Sequence, residues 1–217
     1  MLTTKIQNSI RTSYQNLQEQ LDNFVPRRAQ NYLVAEIAKT LCGQYHKSNR
    51  MIVAEAGKVT IYDGDDPSLP MWMVFNVTSG GFLYSSTNTV SVYNGLLVVG
   101  GTSNLSQASF VEDEYFFRNT NGLKWNINTL INRNKTGGPL SYGTIPPIVN
   151  TIVNDVAMTV LPDAPIDPAT GLPIPTIAVA TDGGVSVIKD DGTVVDITWS
   201  TTYPNYSKNV SFTEDHE

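Results

Sequence analysis

The chain has few of the residues on which covalent and metal chemistry usually depend. It contains one cysteine, Cys42, and two histidines, His46 and His216, among 217 residues. A single cysteine excludes an internal disulfide and any cysteine-clustered zinc or iron–sulfur site. Two histidines leave little scope for a histidine-based metal site. We therefore expect no cofactor and no metal centre.

Long apolar runs and abundant charge are also lacking. No apolar run approaches the ~18 residues that cross a bilayer, and the opening stretch MLTTKIQNSIRTSYQ has no apolar core of a signal peptide. Charged residues make up 16% of the chain, and the net charge is -6. The sequence thus predicts a cytoplasmic or virion-associated protein without a membrane partner. Its acidic balance argues against nucleic-acid binding by the molecule as a whole.

Composition changes sharply near Gly57–Lys58. Residues 1–57 hold seven Lys or Arg against four Asp or Glu, and six of the seven glutamines. Residues 58–217 hold sixteen acidic residues against seven basic ones, with fourteen of sixteen glycines and eleven of twelve prolines. This change predicts two segments, a helical one over 1–57 and an all-β one over 58–217.

The first segment has helical periodicity. Apolar residues recur from Ile6 to Phe24 at helical spacing, which predicts an amphipathic helix over about 4–23 that Pro26 ends. A second helix is predicted over about 27–41. The apolar run at 51–54 is typical of a buried strand in a parallel sheet.

FVPRRAQNYLVAEIAKTL followed by MIVAEAG resembles the N-terminus of DinG-type ATP-dependent DNA helicases. The resemblance implies that Pro26, Arg27 and Gln30 form the adenine-side element of that family. It also implies that Glu55, Ala56 and Gly57 begin its phosphate-binding loop.

The helicase pattern stops at Gly57. Lys58, Val59 and Thr60 follow, and no G-x-x-x-x-G-K-[ST] occurs anywhere in the chain. Because such a loop holds phosphates with consecutive backbone N–H groups at a helix N-terminus, we expect no ATPase or helicase activity. The alternative function is a helicase remnant or fusion that retains nucleic-acid binding through Arg27, Arg28 and Lys39.

The second segment alternates apolar and polar residues between tight turns, which favours short antiparallel strands. The predicted fold is mainly β, as propeller-like blades or open antiparallel sheets, with a short α-helical N-terminal segment. Ten strands are predicted: KVTIYD, MWMVFN, TVSVYN, LLVVGG, ASFVED, YFFRNT, DVAMTVL, TIAVAT, GVSVIK and TVVDITW.

A weak internal repeat links these strands. TIAVATDGGVSVIKDDGTVVDIT and LLVVGGTSNLSQASFVEDEYFFRNT share the order of strand, glycine turn, strand, acidic turn and strand. This cadence resembles propeller-like repeat proteins of tailed bacteriophages. Ten strands make two to three blades, fewer than a closed propeller needs, so we expect self-association, or pairing with another β protein, through open sheet edges. Two resemblances in one chain also suggest a fusion, whether natural, engineered, mis-assembled or generated.

Loops and hairpin tips are the predicted contact surface. Two proline-rich stretches, 135–147 and 162–175, are predicted to be loops, the second without regular structure, and such loops often carry binding function. Asp182, Gly183 and Asp191 are placed at the rim of the surface, with a glycan or cell-surface receptor as the expected partner.

No catalytic constellation is evident. The D-G-D-D run at 63–66 lacks the glutamate that a calcium loop needs at its twelfth position, where Val74 stands, so its aspartates are expected to close a turn. The sequence therefore predicts a non-enzymatic binding or structural module of a phage virion or tail fibre.

Overall fold

The computed structural model describes residues 50–136, 142–168, 171–199 and 205–213. These residues form thirteen strands, which confirms the mainly β prediction, while the helices predicted before residue 50 lie outside the described residues. The strands are β1 Arg50–Glu55, β2 Lys58–Asp63, β3 Met71–Asn76, β4 Thr87–Tyr93, β5 Leu96–Gly101, β6 Leu105–Ser109, β7 Glu114–Arg118, β8 Leu123–Asn128, β9 Tyr142–Thr144, β10 Val153–Thr159, β11 Thr176–Thr181, β12 Gly184–Ile188 and β13 Val194–Ile197. A 3-10 turn, Leu130–Asn132, follows β8.

The strands form three antiparallel sheets in which neighbours in sequence are neighbours in space. The first sheet is β1-β2-β3, the second β4-β5-β6-β7-β8-β9 and the third β10-β11-β12-β13. Tight turns produce this simple order. At the β4–β5 turn, for example, Asn94 and Gly95 have φ angles of 46° and 76°, as a two-residue hairpin turn of the favoured hand requires.

The second sheet lies between the other two and packs on both. Leu97 and Val99 of β5 belong to a core cluster shared with the first sheet, whereas Val98 between them belongs to a cluster shared with the third. Successive side chains of a strand point to opposite faces, so β5 is buried on both sides. This double burial explains why LLVVGG is apolar throughout rather than alternating.

The strand predicted at 51–54 forms, but not in a parallel sheet. β1 pairs antiparallel with β2, from Arg50 opposite Asp63 to Glu55 opposite Lys58, and none of its residues is buried. A two-residue turn at Ala56–Gly57 joins the strands. Because the alternating run KVTIYD follows this turn directly, β1 and β2 form a hairpin. This hairpin crosses the predicted segment boundary at Gly57–Lys58.

Two strands were not expected from the sequence. β8 and β9 extend the second sheet beyond β7, and β9 lies inside the stretch 135–147 that was predicted to be a loop. β6 also begins earlier than the predicted ASFVED, because Leu105 pairs with Arg118 and Gly100. The LSQAS run of β6 alternates only weakly and β9 has only three residues. LKWNIN of β8, in contrast, alternates apolar and polar residues strictly, so its strand could have been predicted.

Candidate functional site

The loops of the second and third sheets gather at two opposite ends. One end, here called the proline-rich end, carries the β4–β5 turn, the β6–β7 turn, the β10–β11 loop and the β12–β13 turn. The opposite end carries the β5–β6 and β11–β12 turns. Asn94 in the β4–β5 turn fixes the two sheets in this relation, because its Nδ2 donates to the carbonyl of Pro173 in the β10–β11 loop at 2.9 Å.

The β10–β11 loop contains no strand or helix among its described residues, as predicted for 162–175, but it does contain one isolated bridge. Ile166 and Pro173 form an antiparallel bridge. The Asp167 N–H donates to Leu172 O, and the Ile174 N–H donates to Pro165 O, both at 2.9 Å. The prolines do not prevent this pairing. Pro165 takes part through its carbonyl oxygen, and the two hydrogen bonds of the bridge require no N–H from Pro173.

A cleft of about 250 Å³ opens between this loop and the second sheet. Apolar side chains and prolines share its lining with two carboxylates. Its residues are Asn94, Leu96, Ser109, Glu112, Asp167, Leu172, Pro173, Ile174 and Pro175. The cleft is somewhat smaller than the ~300–1,000 Å³ of typical small-molecule sites, so it suits one end or one ring of a larger ligand.

The predicted rim residues divide between the two ends. Asp191 lies in the β12–β13 turn at the proline-rich end, whereas Asp182 and Gly183 form the β11–β12 turn at the opposite end. They are separated by the length of β12, about 17 Å for five residues at ~3.4 Å each. One ligand of the size of the cleft therefore cannot contact both aspartates.

Asp191 closes its own turn. Its Oδ1 accepts hydrogen bonds from the Thr193 N–H at 2.9 Å and the Thr193 hydroxyl at 2.6 Å. The hydroxyl, followed by the backbone donor, lowers the pKa of the Asp191 carboxyl below its usual value, because both hydrogen bonds favour the charged form.

Asp182 and Gly183 contribute to packing at the opposite end. The Asp182 carboxylate accepts a hydrogen bond from Asn154 Nδ2 at 2.8 Å. A Cβ at Gly183 would lie 2.8 Å from Asn150 Cβ, closer than two carbons approach, so this turn has no space for a side chain.

The D-G-D-D run closes a turn, as expected. Asp63 Oδ1 accepts the Asp65 N–H and pairs with Arg50, while Asp66 Oδ1 accepts both the N–H and the hydroxyl of Ser68. The Ser68 N–H is the main cause of a lowered pKa at Asp66. Among the described residues no group of three or more His, Cys, Asp or Glu is arranged to hold a metal ion.

Of the helicase-like positions, Pro26, Arg27, Arg28, Gln30 and Lys39 lie outside the described residues. Glu55, Ala56 and Gly57 end β1 and form its turn. The Glu55 carboxylate pairs with Lys58 Nζ at 2.8 Å, and this contact raises the pKa of Lys58. In this chain the E-A-G run thus closes a hairpin.

Sequence reasoning missed a polar network between the first strands of the second and third sheets. The Asp155 carboxylate in β10 accepts the Thr89 hydroxyl of β4 at 3.1 Å through Oδ1 and the Val210 N–H at 3.1 Å through Oδ2. Asn88 Nδ2 in β4 donates to Val153 O of β10 at 2.8 Å. The signal that could have identified the network is a short repeat, TNTV at 87–90 and VNDV at 153–156.

Comparisons with known proteins bear on only part of the chain. No protein-family model matches it. It is 65% identical over 57 residues to the ATP-dependent DNA helicase DinG of Photobacterium profundum. That match covers 26% of this chain and 8% of the helicase.

The match confirms a DinG-like segment in the chain. Because the chain spans less than a tenth of that helicase, the helicase's activity is not carried over with the match. The resemblance of the β segment to phage repeat proteins stays a prediction. Among the described residues no helix has the length and apolar character needed to span a membrane.

Proposed function

We propose that this chain is a non-enzymatic binding or structural module that acts through its β sheets. The observation that carries the proposal is the cleft at the proline-rich end, which described residues of the β10–β11 loop form against the second sheet. Loops held on a rigid sheet scaffold commonly carry binding function, and Asn94 fixes this loop to the scaffold.

The lining of the cleft suits a glycan of a cell surface. The apolar side chains of Leu96, Leu172 and Ile174 offer a surface for the C–H face of a sugar ring. The carboxylates of Glu112 and Asp167 offer acceptors for its hydroxyl groups. The repeat cadence of the strands favours a phage virion or tail fibre as the setting, where recognition of such a receptor is the expected task.

Binding of the full chain to a glycan array tests this proposal, with two matched variants. Glu112→Gln changes a carboxylate at the cleft to an amide of the same shape, and Asp182→Asn makes the same change at the opposite end. We expect Glu112→Gln to weaken binding of any glycan that the chain retains and Asp182→Asn to leave it unchanged. The reverse result would move the contact surface to the opposite end, and no glycan binding at all would contradict the receptor role.

A second candidate function is supported by the DinG match. We propose as the alternative that the chain is a remnant or fusion of a DinG-type helicase with residual nucleic-acid binding and no ATPase activity. Neutralising Arg27, Arg28 and Lys39 should then abolish salt-sensitive binding to single-stranded DNA. Neutralising Lys189 and Lys208 serves as the control and should leave binding intact.

ATP turnover separates this alternative from a working helicase. We expect turnover at the level of the buffer with and without DNA, because a complete phosphate loop is missing from the sequence. DNA-stimulated turnover above that level would overturn both candidate functions.

A further inference from the structure

The first strands of the second and third sheets are copies of one structural motif. β4 and β10 each carry a register shift after their first residue, between Thr87 and Thr89 and between Val153 and Asp155. Each has an asparagine at the shifted position, Asn88 or Asn154. The same irregularity with the same residue at the same place marks the two strands as equivalent.

A third copy of the motif lies at 207–213, with Lys208 where the other two copies have asparagine. Asn88 Nδ2 donates to the carbonyl of Val153, the first residue of the next copy. Asn154 Nδ2 donates in the same way to the carbonyl of Ser207 at 2.9 Å. Ser207 is therefore equivalent to Val153, and the three copies read TNTVSVY, VNDVAMT and SKNVSFT.

The third copy is placed like a first strand, and no second strand follows it among the described residues. Its Ser207 N–H donates to Thr181 O at the end of β11, and its Val210 N–H donates to Asp155 of β10. β4 continues into β5 and β10 into β11, whereas 207–213 pairs with no strand among the described residues.

In the first sheet, the edge of β1 is the position that a strand equivalent to β10 would occupy. β1 and β2 form a hairpin closed by the pair Glu55 and Lys58 around a two-residue turn, as β11 and β12 do with Thr181 and Gly184. β11 has β10 on its outer side and is buried at all six residues. β1 has no strand on that side among the described residues, and none of its residues is buried.

We infer that residues 207–213 of one copy of this chain pair antiparallel with β1 of a second copy. This deepens the proposed function by naming the sheet edge and the partner through which the module associates. Within one copy the described residues show no pairing between the two segments. The first sheet contacts β4, β4 contacts β10, and β10 contacts the third copy, so the two segments are the first and the last members of that row.

The register of the new pair follows from the existing ones. In the third sheet Val156 lies opposite Val179, two residues before Thr181, the last residue of β11 before its turn. The equivalent last residue of β1 is Glu55. The same rule places Val210 opposite Val53 and Phe212 opposite Met51. Each position would join two apolar side chains, as the pairs of β4–β5 and β10–β11 do.

Hydrogen-bond alternation identifies which backbone groups of β1 would bond to the second copy. Residues that flank a two-residue turn are hydrogen-bonded to each other, and alternate residues then face outward. Glu55 and Val53 therefore face β2, and the N–H groups of Ala54 and Ile52 face the outer edge. Ala54 is exposed, so a proline there removes an outer donor without loss of buried packing.

Two proline variants test the pairing in the full chain. Ala54→Pro removes an outward N–H from the edge of β1, and Ser211→Pro removes a backbone N–H from the third copy. Each change should prevent its own segment from pairing. Ala54→Thr and Ser211→Thr are matched controls that keep the backbone N–H. Light scattering after size-exclusion chromatography, from about 1 to several hundred micromolar, gives the mass of each species, and circular dichroism confirms that each variant is folded.

We expect the natural chain and both threonine variants to associate with rising concentration, and each proline variant alone to stay at the monomer mass of 23.8 kDa. A mixture of the two proline variants should give a dimer and nothing larger. Only one junction can then form, between the intact third motif of Ala54→Pro and the intact β1 of Ser211→Pro.

A natural chain that stays monomeric throughout would overturn the inference, as would proline variants that associate like the natural chain. Slow amide exchange at Ile52 and Ala54 in a monomer would also overturn it, because another part of the same chain would then cover the edge. Glycan binding that persists in any of these cases leaves the proposed function standing and this inference refuted.

Discussion

Replacement of Gly100 by alanine tests how tightly the second and third sheets are joined. Gly100 is the last residue but one of β5 and lies next to Val153 of β10. A Cβ there would lie 2.7 Å from Thr89 Cγ2 and closer still to Val153 Cγ1. Both neighbours are β-branched side chains of the motif strands β4 and β10, so the contacted methyl groups can move only by leaving their preferred χ1 rotamer or by a shift of the backbone.

The expected cost follows from these distances. Carbon atoms attract best at about 3.5–4.0 Å, so the added methyl group requires a displacement of about 1 Å. Overpacking of this kind typically costs about 1–3 kcal/mol. Gly57→Ala is the matched control, because its Cβ would meet nothing within 4 Å. That change is expected to be neutral, or stabilising by up to about 1 kcal/mol.

Urea unfolding of both variants, followed by tryptophan fluorescence, measures the difference in the free energy of unfolding. Val153→Ala provides a further check, since it removes the atom nearest to the new methyl group. The double variant Gly100→Ala, Val153→Ala should lose at least ~0.5 kcal/mol less than the two single losses together. A Gly100→Ala variant as stable as Gly57→Ala would refute the described contact between the sheets.

Three further predictions concern single side chains. Arg118 is buried, which lowers its pKa to about 10, and it donates hydrogen bonds to Gln107 Oε1 and Pro146 O. Arg118→Ala removes this donor and leaves both acceptors unsatisfied, so it should lower the free energy of unfolding in urea by about 2–4 kcal/mol. Arg118→Lys should lower it less. The Asp191 carboxyl should titrate below its usual pKa near 3.9, so the support it gives the β12–β13 turn is present above that pH and lost as the pH falls through the lowered pKa; NMR titration of Thr193→Val should return the pKa toward 3.9. Burial raises the pKa of Tyr115, so absorbance at 295 nm should show its ionisation only above the usual value near 10. Tyr115→Phe should cost about 0.5–1.5 kcal/mol, because it removes the one hydroxyl proton that Gly80 O and Asn132 O share, each at 3.4 Å.

Strand positions were predictable where alternation and turn residues agree. KVTIYD, MWMVFN, LLVVGG and TIAVAT coincide with β2, β3, β5 and β11. β8 was missed although LKWNIN alternates apolar and polar residues strictly, so the local signal was present in the sequence. β9 has only three residues. For so short a strand the neighbouring strand of the sheet decides the conformation, and a local pattern contains no information about that neighbour.

The candidate site was predictable in kind but not in geometry. Proline, glycine and aspartate mark the loops and turns correctly, because they act through local backbone preferences. Which loops share an end depends on strand direction, which is why Asp182 and Asp191 were predicted together and lie apart. The hydrogen bond from Asn94 to Pro173 joins residues that are 79 positions apart, and a local sequence pattern cannot predict such a contact.

The hairpin of β1 and β2 has a practical consequence for any fragment of this chain. The compositional boundary at Gly57–Lys58 is an obvious place to cut, yet it lies within the β1–β2 hairpin, between the turn and the first residue of β2. A fragment that begins at Lys58 would lose β1 and expose the edge of β2, including Val59 and Ile61, which are now buried. Fragments for separate study should therefore keep Arg50, and a poorly soluble 58–217 fragment would report the missing strand rather than a property of the β sheets.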